Sequence, residues 1–311
     1  MLSLNVPFRR LLSPSLLPSP LLRPFSSHPP PPPPTIKYPK RIIIARHGES
    51  KGNISSSAYV TTPDWLIPLS ATGFAQSRQL GSRLKNLISD EQCYFYTSPY
   101  LRTKQTLATV LKTLPSQQIL GIREEPRLTE QQFGNFQNVQ SINSAKNERI
   151  KYGRFYYRFP EGESGLDVYN RCSSFVNTLY RDFEDSDVIR EADSNVLVMT
   201  HGLTMRLLIM RFFHYNVADF ERSENSRNCG IVVLERREDY EELEQHRMKL
   251  SRIYNITREG RKLINFPKAG IVNYTDMVSE VSREGLTSFA EPAEHIKYWT
   301  DKTKVKWKTP F

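Results

Sequence analysis

Two histidines in the sequence share one local setting, in which a short apolar run precedes the histidine and a glycine follows it. His47 and His201 occupy these positions, followed by Gly48 and Gly202. A neutral imidazole can attack phosphorus, and a protonated one can stabilise a negative phosphate oxygen. The glycine lets the backbone approach an anionic ligand closely. This pairing predicts a functional site that binds an anion.

Two arginines accompany the histidines. Arg46 directly precedes His47, and Arg102 follows Ser98-Pro99. This dipeptide predicts the start of a helix, with the serine as N-cap and the proline in the first helical position. A guanidinium binds phosphate oxygens in a bidentate manner, and the amino end of a helix favours anions. Arg46 and Arg102 are therefore predicted to bind the phosphate.

Short β-branched runs alternate along the chain with segments whose apolar residues recur at helical spacing. This alternation predicts a three-layer α/β/α sandwich with a mostly parallel central sheet. Ligands of such sheets bind outside the carboxyl ends of the strands, so we expect His47, Arg102 and His201 in one crevice. The predicted strands are residues 41–45, 94–97, 119–122, 196–200 and 231–234, and the predicted helices are residues 70–87, 98–111, 166–183 and 203–213.

Composition divides the chain into three parts. Residues 1–40 hold five basic residues, no acidic residue and more than half of the 21 prolines, which predicts a transit peptide and a proline-rich linker. Residues 41–245 are predicted to form the catalytic domain, with an inserted lid at residues 131–164. Residues 246–311 are expected to be a C-terminal extension. The first part predicts a mitochondrial or chloroplast location, or a cytoplasmic one without such an address.

Charge and composition argue against several other classes of protein. The formal net charge is +10, but residues 1–40 supply half of it, so no nucleic-acid partner is predicted. No apolar run has the length of a membrane span. Cys93, Cys172 and Cys229 are too few and too scattered for a disulfide framework or a zinc site. We expect all three cysteines to be packing residues.

Four sequence blocks follow one another along the chain. They are Arg46-His47-Gly48-Glu49-Ser50 with Asn53, Ser98-x-x-x-Arg102-x-x-x-Thr106, Leu128-x-Glu130-x-x-Phe133-Gly134, and Thr200-His201-Gly202. In this order the blocks resemble the histidine phosphatase superfamily, which includes the cofactor-dependent phosphoglycerate mutases, over residues 41–235. Thr62-Pro63-Asp64, together with residues 155–160 before Gly162-Glu163-Ser164, resembles a plant and fungal branch called phosphoglycerate mutase-like proteins.

The resemblance implies a role for each matching residue. Neutral His47 would attack phosphorus and become a transient phosphohistidine, while protonated His201 would add positive charge. Glu130 would protonate the leaving oxygen and then activate water, a role for which Glu124 and Glu125 stay alternatives. The remaining phosphate ligands would be Arg46, Arg102, Asn53 and Gly202. No metal and no cofactor is expected.

The chain departs from true phosphoglycerate mutases in two places. Residues 54–65 lack the glycine- and tryptophan-containing pattern of those enzymes, and the lid has no adjacent arginine pair. A phosphatase acting on a small phosphorylated metabolite or a phosphoprotein is therefore predicted. A phosphoglycerate mutase-type phosphotransferase and a non-catalytic phospho-ligand binding protein are the alternatives. Arg154 and Arg158 of the lid are predicted to hold a second anionic group of the substrate.

Overall fold

The computed structural model describes residues 38–135, 138–184, 194–240 and 253–266. In these parts a six-stranded sheet is flanked by helices, which confirms the predicted α/β sandwich. The strands are β1 (Arg41–Arg46), β2 (Cys93–Thr97), β3 (Ile119–Glu124), β4 (Asn195–Thr200), β5 (Ile231–Arg236) and β6 (Tyr254–Ile256). The α-helices are α1 (Lys51–Ile54), α2 (Ala58–Thr61), α3 (Ala71–Ile88), α4 (Leu101–Leu111), α5 (Val139–Tyr152), α6 (Gly165–Glu184), α7 (Gly202–Phe213), α8 (Val217–Arg222) and α9 (Arg258–Ile264).

The strand order across the sheet is β3-β2-β4-β1-β5-β6. The first four of these strands run parallel, whereas β5 and β6 are antiparallel to their neighbours. All six residues of β4 are buried, as expected of a central strand that helices cover on both faces. The carboxyl ends of β1 and β4 are therefore adjacent, and the segments that follow them leave the sheet side by side.

Alternate residues of β1 pack into two different cores. Ile42 and Ile44 face the core that holds residues of α6 and α7, whereas Ile43 and Ala45 face the core that holds residues of α3 and α4. All four side chains are nearly inaccessible to solvent. Burying one isoleucine side chain stabilises a fold by roughly 1.5–3 kcal/mol. The apolar run therefore fixes β1 from both faces.

The sequence predicted the start of α3 correctly but placed the start of α4 too early. Ser70 caps α3 as its position suggests, since its hydroxyl accepts the Gly73 amide hydrogen bond at 3.0 Å. Helix α4 begins later than predicted, and Tyr100 rather than Ser98 is its N-cap residue. The prediction for Ser98 was wrong, because α4 begins at Leu101, three residues after the serine. Arg102 still lies on the first turn of α4.

The predicted lid contains a helix, α5, that the sequence pattern did not indicate. Ile142 and Ala145 are the buried residues among its 14. So narrow an apolar face gives no clear helical period. The ends of the helix are set locally, because the Asn138 side chain accepts a backbone hydrogen bond at the start and Gly153 ends the helix with a φ of 88°.

Residues from both flanking parts of the predicted catalytic domain pack into it. Tyr38, in the predicted linker, is buried, and its ring meets that of Phe183 edge-on at 6.2 Å between centroids. Strand β6, in the predicted C-terminal extension, pairs with β5. The hydroxyl of Tyr254 donates to the carbonyl of Pro39 at 2.6 Å. The folded unit thus includes described residues on both sides of residues 41–245.

The predicted transit peptide and most of the predicted C-terminal extension lie outside the described residues, so the predicted location stays a prediction. Among the helices whose positions are described, none combines the length and apolarity needed to cross a membrane. Cys93, Cys172 and Cys229 are buried free thiols, which confirms that they are packing residues.

Candidate active site

His47 and His201 lie side by side at the carboxyl edge of the sheet. Arg46 and Thr200 are opposite each other in the register of β1 and β4, and the His47 amide donates to the Thr200 carbonyl at 3.0 Å. The two imidazole centroids are 5.1 Å apart, and the residues are 3% and 0% exposed. The structure thus brings both histidines into one buried site, which we call the phosphate pocket together with Arg46 and Arg102.

The His47 ring is oriented by a backbone group. Its Nδ1 lies 2.6 Å from the Gly48 carbonyl oxygen, which can only accept a hydrogen bond. The proton of the neutral ring is therefore on Nδ1, and Nε2 holds the lone pair. Burial lowers the pKa of His47 well below its ordinary value, and the charges of Arg102 and Arg46 lower it further. His47 is thus a neutral imidazole whose Nε2 carries the lone pair.

Ser98 orients the second ring. Its hydroxyl oxygen lies 2.8 Å from Nε2 of His201 and accepts the Tyr100 amide hydrogen bond at 3.4 Å, so its hydrogen is available to Nε2. Nδ1 of His201 is buried and has no hydrogen-bond partner among the described residues. When the Ser98 hydroxyl donates to Nε2, Nδ1 carries the ring hydrogen and is a donor that a ligand can use.

The surroundings of His201 disfavour its protonated form when no ligand is bound. Burial lowers the pKa of His201 well below its ordinary value, and nearby Arg102 and His47 lower it further. A neutral ring is therefore expected in the ligand-free pocket. A bound phosphate dianion would reverse the effect, because a neighbouring negative charge favours the imidazolium.

The two arginines of the phosphate pocket are held by protein acceptors. Nη1 of Arg46 donates to the Ser226 carbonyl, while its Nε is buried without a described partner. Nη1 of Arg102 donates to both the carbonyl and the carboxylate of Asp64, at 2.7 and 2.8 Å. The charges of both arginines act on both histidines. Two fixed cations and two imidazoles can together stabilise a dianionic phosphate.

Tyr100 and Asp64 contact the pocket, although the sequence did not single them out. The Tyr100 ring lies 5.1 Å from the His201 ring, and the guanidinium of Arg102 lies 4.8 Å from its centre. Asp64 begins the 3₁₀ helix Asp64–Leu66. A signal for each existed, since Tyr100 lies inside the block from Ser98 to Arg102 and Asp64 belongs to the branch feature. The sequence pattern around Asp64 does not indicate, however, that this residue lies near the ends of the strands.

Glu130 is anchored at the amino end of α7. Its carboxylate accepts the amide hydrogen bonds of Leu203 and Thr204, both at 3.4 Å, and the hydroxyl of Thr204 at 3.2 Å. Arg171 donates to its backbone carbonyl at 3.0 Å. The charge of Glu130 acts on Arg46 in the pocket. A carboxylate so placed can exchange a proton with a group bound beside His201.

The two alternative carboxylates are held in other ion pairs. Glu124 is exposed and pairs with Lys104 at 2.8 Å. Glu125 is buried and pairs with Arg127 at 2.6 Å. Glu130 is therefore the one of the three that contacts the helix following His201. Within the parts of the chain that are described, no group of three His, Cys, Asp or Glu residues could hold a metal ion.

Asn53 lies close to the backbone of the first histidine. Its amide oxygen accepts the Ser50 amide hydrogen bond and one from Nδ2 of Asn228, both at 3.1 Å. Asn228 also donates to the His47 carbonyl at 3.3 Å. Because the oxygen is engaged, Nδ2 of Asn53 is the end that can donate to a phosphate. Asn228 belongs to no sequence motif, so sequence reasoning missed it.

The two glycines that follow the histidines are close to protein atoms. A Cβ at Gly48 would lie 2.6 Å from the Gly73 carbonyl oxygen, and one at Gly202 would lie 3.0 Å from the Asn225 side chain. The Gly48 amide donates to the Thr106 hydroxyl at 3.0 Å. Close packing between elements thus gives a reason for both glycines that differs from the expected approach of a ligand. A phosphate contact by Gly202 stays a prediction.

The structure does not bring Arg154 or Arg158 into contact with the two histidines. Arg158 is mostly exposed and pairs with Asp167 at 2.8 Å. Arg154 donates to the Glu221 carbonyl at 3.4 Å. Their predicted contact with a second anionic group of the substrate stays a prediction.

A third lid arginine, Arg149 on α5, was not predicted as a site residue. Its guanidinium lies 5.5 Å from the centre of the Phe159 ring, and its Nε is buried with no described partner. Burial lowers its pKa, and the negative charge of Glu130 opposes this change. Arg149 therefore lies within the electrostatic reach of Glu130. The weak periodicity of α5 explains why the sequence did not reveal it.

A cavity of about 400 Å³ lies beside Asp64 and Tyr100. Its walls combine aromatic residues, among them Tyr59, Trp65 and Phe133, with polar ones. The rings of Tyr59 and Phe133 meet edge-on at 5.6 Å between centroids. A cavity of this size and composition suits a small organic group. Such a group could be joined to a phosphate bound between the two histidines.

Comparison with known proteins confirms the family resemblance. The model of the histidine phosphatase superfamily (branch 1) matches residues 42–249. Phosphoglycerate mutase-like protein AT74H of Arabidopsis thaliana is 45% identical over 208 residues, which are 63% of this chain and 74% of that protein. Broad-range acid phosphatase DET1 of Saccharomyces cerevisiae is 29% identical over 286 residues, with coverage of 63% and 85%.

Solved structures support the fold independently. The structure of Bacillus stearothermophilus YhfR superposes with a TM-score of 0.53 at 20% identity, and the match covers 71% of this chain and 96% of that one. At this level of identity the likeness shows the fold alone.

Proposed function

This chain belongs to branch 1 of the histidine phosphatase superfamily, and we propose that it hydrolyses a phosphate monoester through a phosphohistidine on His47. One observation carries the proposal: Nε2 of His47, which holds the ring's lone pair, shares one buried site with Nδ1 of His201, which has no hydrogen-bond partner among the described residues. In-line attack on phosphorus needs such a nucleophile beside a donor for the phosphoryl oxygens.

The first step transfers the phosphoryl group to the protein. Nε2 of His47 forms a bond to phosphorus while the bond from phosphorus to the ester oxygen breaks. Glu130, in its acid form, gives its proton to the departing oxygen, which leaves as an alcohol. Arg46 and Arg102 bind the phosphoryl oxygens during the transfer. Three further groups donate hydrogen bonds to the phosphoryl oxygens, namely Asn53, Gly202 and Nδ1 of His201.

The second step returns the protein to its starting state. Glu130, now a carboxylate, takes a proton from a water molecule whose oxygen attacks phosphorus. The bond between phosphorus and Nε2 breaks, inorganic phosphate leaves, and His47 is again neutral. The lowered pKa of His47 favours this outcome, because burial and two arginines disfavour a cationic ring.

We further propose that the reaction requires no metal ion. Arg46 and Arg102 supply the positive charge that a divalent cation gives in other phosphoryl-transfer sites. Activity should survive exhaustive EDTA treatment. Activity that is lost in EDTA and returns with magnesium or manganese would contradict this part of the proposal.

The substrate that we propose is a small phosphorylated metabolite. The cavity of about 400 Å³ and its aromatic walls support this choice, since they suit an organic group joined to the phosphate. A phosphoprotein would instead require an extended groove for the peptide. Comparing turnover of a panel of phosphorylated metabolites with that of phosphopeptides tests the choice.

A trapping experiment tests the proposed covalent step. The full-length chain is mixed with a chromogenic ester labelled in the phosphate and quenched in base. We expect an acid-labile, base-stable phosphoenzyme in the wild type and none in His47→Ala. Release of inorganic phosphate that does not depend on an acceptor alcohol distinguishes a phosphatase from a mutase-type phosphotransferase. Binding of phosphate without any turnover would instead support a non-catalytic binding protein.

A further inference from the structure

One carboxylate approaches the phosphate pocket from outside the family motifs. Oδ1 of Asp64 accepts a hydrogen bond from Nη1 of Arg102 at 2.8 Å, and the Asp64 carbonyl accepts one from the same nitrogen at 2.7 Å. Among the described residues, Asp64 makes both polar contacts of this guanidinium. The Arg102 side chain is 3% exposed. Asp64 therefore balances the charge of an arginine that we assign to phosphate binding.

The second carboxylate oxygen of Asp64 has no such partner. Oδ2 is buried and accepts no hydrogen bond from the described residues. Burial raises the pKa of Asp64, the contact with Arg102 opposes the rise, and the negative charge of Glu130 adds to it. A buried carboxylate oxygen without a donor is costly in its ionised form. Oδ2 is thus the oxygen of Asp64 that can bind a proton.

The titratable groups around Asp64 come from three segments. Arg102 and Tyr100 belong to the start of α4, Tyr59 lies on α2, and Glu130 follows the 3₁₀ helix Pro126–Leu128. Burial raises the pKa of both Tyr59 and Tyr100 to about 12, and Asp64 contributes to both shifts. Both tyrosines are therefore neutral near pH 7. Arg102 and Glu130 are the charged groups that act on Asp64.

We propose that Asp64 takes up a proton when a phosphate dianion binds in the pocket, and thereby couples phosphate affinity to pH. This inference rests on the proposed function, because it requires that phosphate binds at Arg102. In its ionised form, Asp64 holds Arg102 in place. A dianion at Arg102 brings negative charge next to the carboxylate, and like charges in one buried site favour protonation of one of them. The proton goes to Oδ2, and Oδ1 keeps its bond to Arg102.

The direction of the pH effect follows from these charges. Below the pKa of Asp64 in the free protein, the carboxyl group is already neutral, and phosphate binds without proton uptake. Above that pKa, the cost of supplying the proton grows with pH, so affinity falls by up to tenfold per pH unit. The affinity stops falling at the pH above which phosphate binds to the protein with Asp64 still ionised. Asp64→Asn keeps the size and an acceptor oxygen but cannot ionise, so it removes this dependence.

Calorimetric titration with inorganic phosphate tests the coupling. The full-length wild type and Asp64→Asn are compared between pH 5 and pH 8.5, and the ionisation of phosphate itself cancels in the ratio of their dissociation constants. We expect wild type and variant to bind alike near pH 5. At pH 8 the wild type should bind at least about tenfold more weakly, since one pKa unit corresponds to tenfold. Buffers of different ionisation enthalpy should show greater proton uptake by the wild type.

Asp239→Asn is the matched control, because Asp239 is exposed and pairs with Arg237 at 2.7 Å. It should follow the wild type at every pH. A wild-type-to-variant ratio that stays constant across pH would overturn the proposal and leave Asp64 as a structural support for Arg102. The titration needs no turnover. Failure to trap a phosphoenzyme would therefore refute the proposed hydrolysis without deciding this test.

Discussion

The phosphate pocket and the lid, residues 131–164, are built in opposite ways. His47 and His201 follow neighbouring parallel strands, and each ring is oriented by a hydrogen-bond partner. In the lid, by contrast, Tyr152 and Tyr156 are largely exposed, and α5 buries two of its 14 residues. The pocket is fixed by the sheet and its two cores, whereas the lid is held by local caps, by aromatic contacts and by Phe155, which packs into the core beside α6 and α7.

This difference suggests a division of labour within the domain. Groups that must meet a reacting atom need precise positions, which rigid strand ends provide. The exposed positions of the lid, such as Tyr152 and Tyr156, can vary in sequence at small cost to stability. We therefore expect substitutions in the phosphate pocket to change the chemical step and those in the lid to change the choice of substrate.

The largest effect should come from the nucleophile. His47→Ala removes the nitrogen that attacks phosphorus, and turnover of any ester should fall by about 10⁴-fold or more. Tyr152→Ala, at a largely exposed lid position, is the control and should stay within about twofold of wild type. Circular dichroism checks that both variants fold. A His47→Ala variant that keeps most of its activity would remove the basis for the comparison.

The loss of activity caused by Glu130→Gln should depend on the leaving group of the substrate. Glutamine cannot donate the proton, so kcat/KM for an alkyl phosphate should fall by about 10²–10⁴-fold. A nitrophenyl ester, whose leaving group is already a weak base, should lose much less in the first step. Glu124→Gln, at an exposed residue paired with Lys104, should change neither value. Equal losses on both esters would argue against general acid catalysis by Glu130.

Ser98→Ala should lower kcat less than His47→Ala does, but more than a substitution of a lid arginine. Without the hydroxyl, His201 can place its proton on either nitrogen, and the population with Nδ1–H facing a ligand decreases. We expect kcat to fall by roughly 10–100-fold, as for other residues that orient a reacting histidine. Ser173→Ala, whose hydroxyl donates to the Tyr169 carbonyl on α6, serves as control. Unchanged kcat in Ser98→Ala would mean that another contact sets the tautomer.

The lid arginines should give the smallest effects. If Arg154 or Arg158 holds a second anionic group, its loss costs about 1–3 kcal/mol on a multiply charged ester and little on a singly charged one. Arg158 must first leave its ion pair with Asp167, so Arg158→Ala should have the smaller effect of the two. Values of kcat/KM on both kinds of ester decide this. Wild-type values throughout would exclude both arginines from substrate selection.

The sequence predicted the parts of this molecule whose pattern repeats along a rigid element. The β-branched run before His47 and the run before His201 identified β1 and β4 and hence the meeting of the two histidines. The start of α4 was predicted less well, because the serine signal for a cap does not reveal that Ser98 bonds to a residue 103 positions away. Asp64 and Asn228 were missed for the same reason, since their contacts cross between elements.

The contact between Tyr254 and Pro39 joins two segments that lie 215 positions apart in the chain. Opening of either segment removes the partner of the other, so the two should open together. Amide hydrogen exchange would then show one common protection factor for β6 and for residues 38–40. A nick or deletion near one end of the folded unit would also loosen the opposite end, which makes its proteolytic resistance a property of both ends at once.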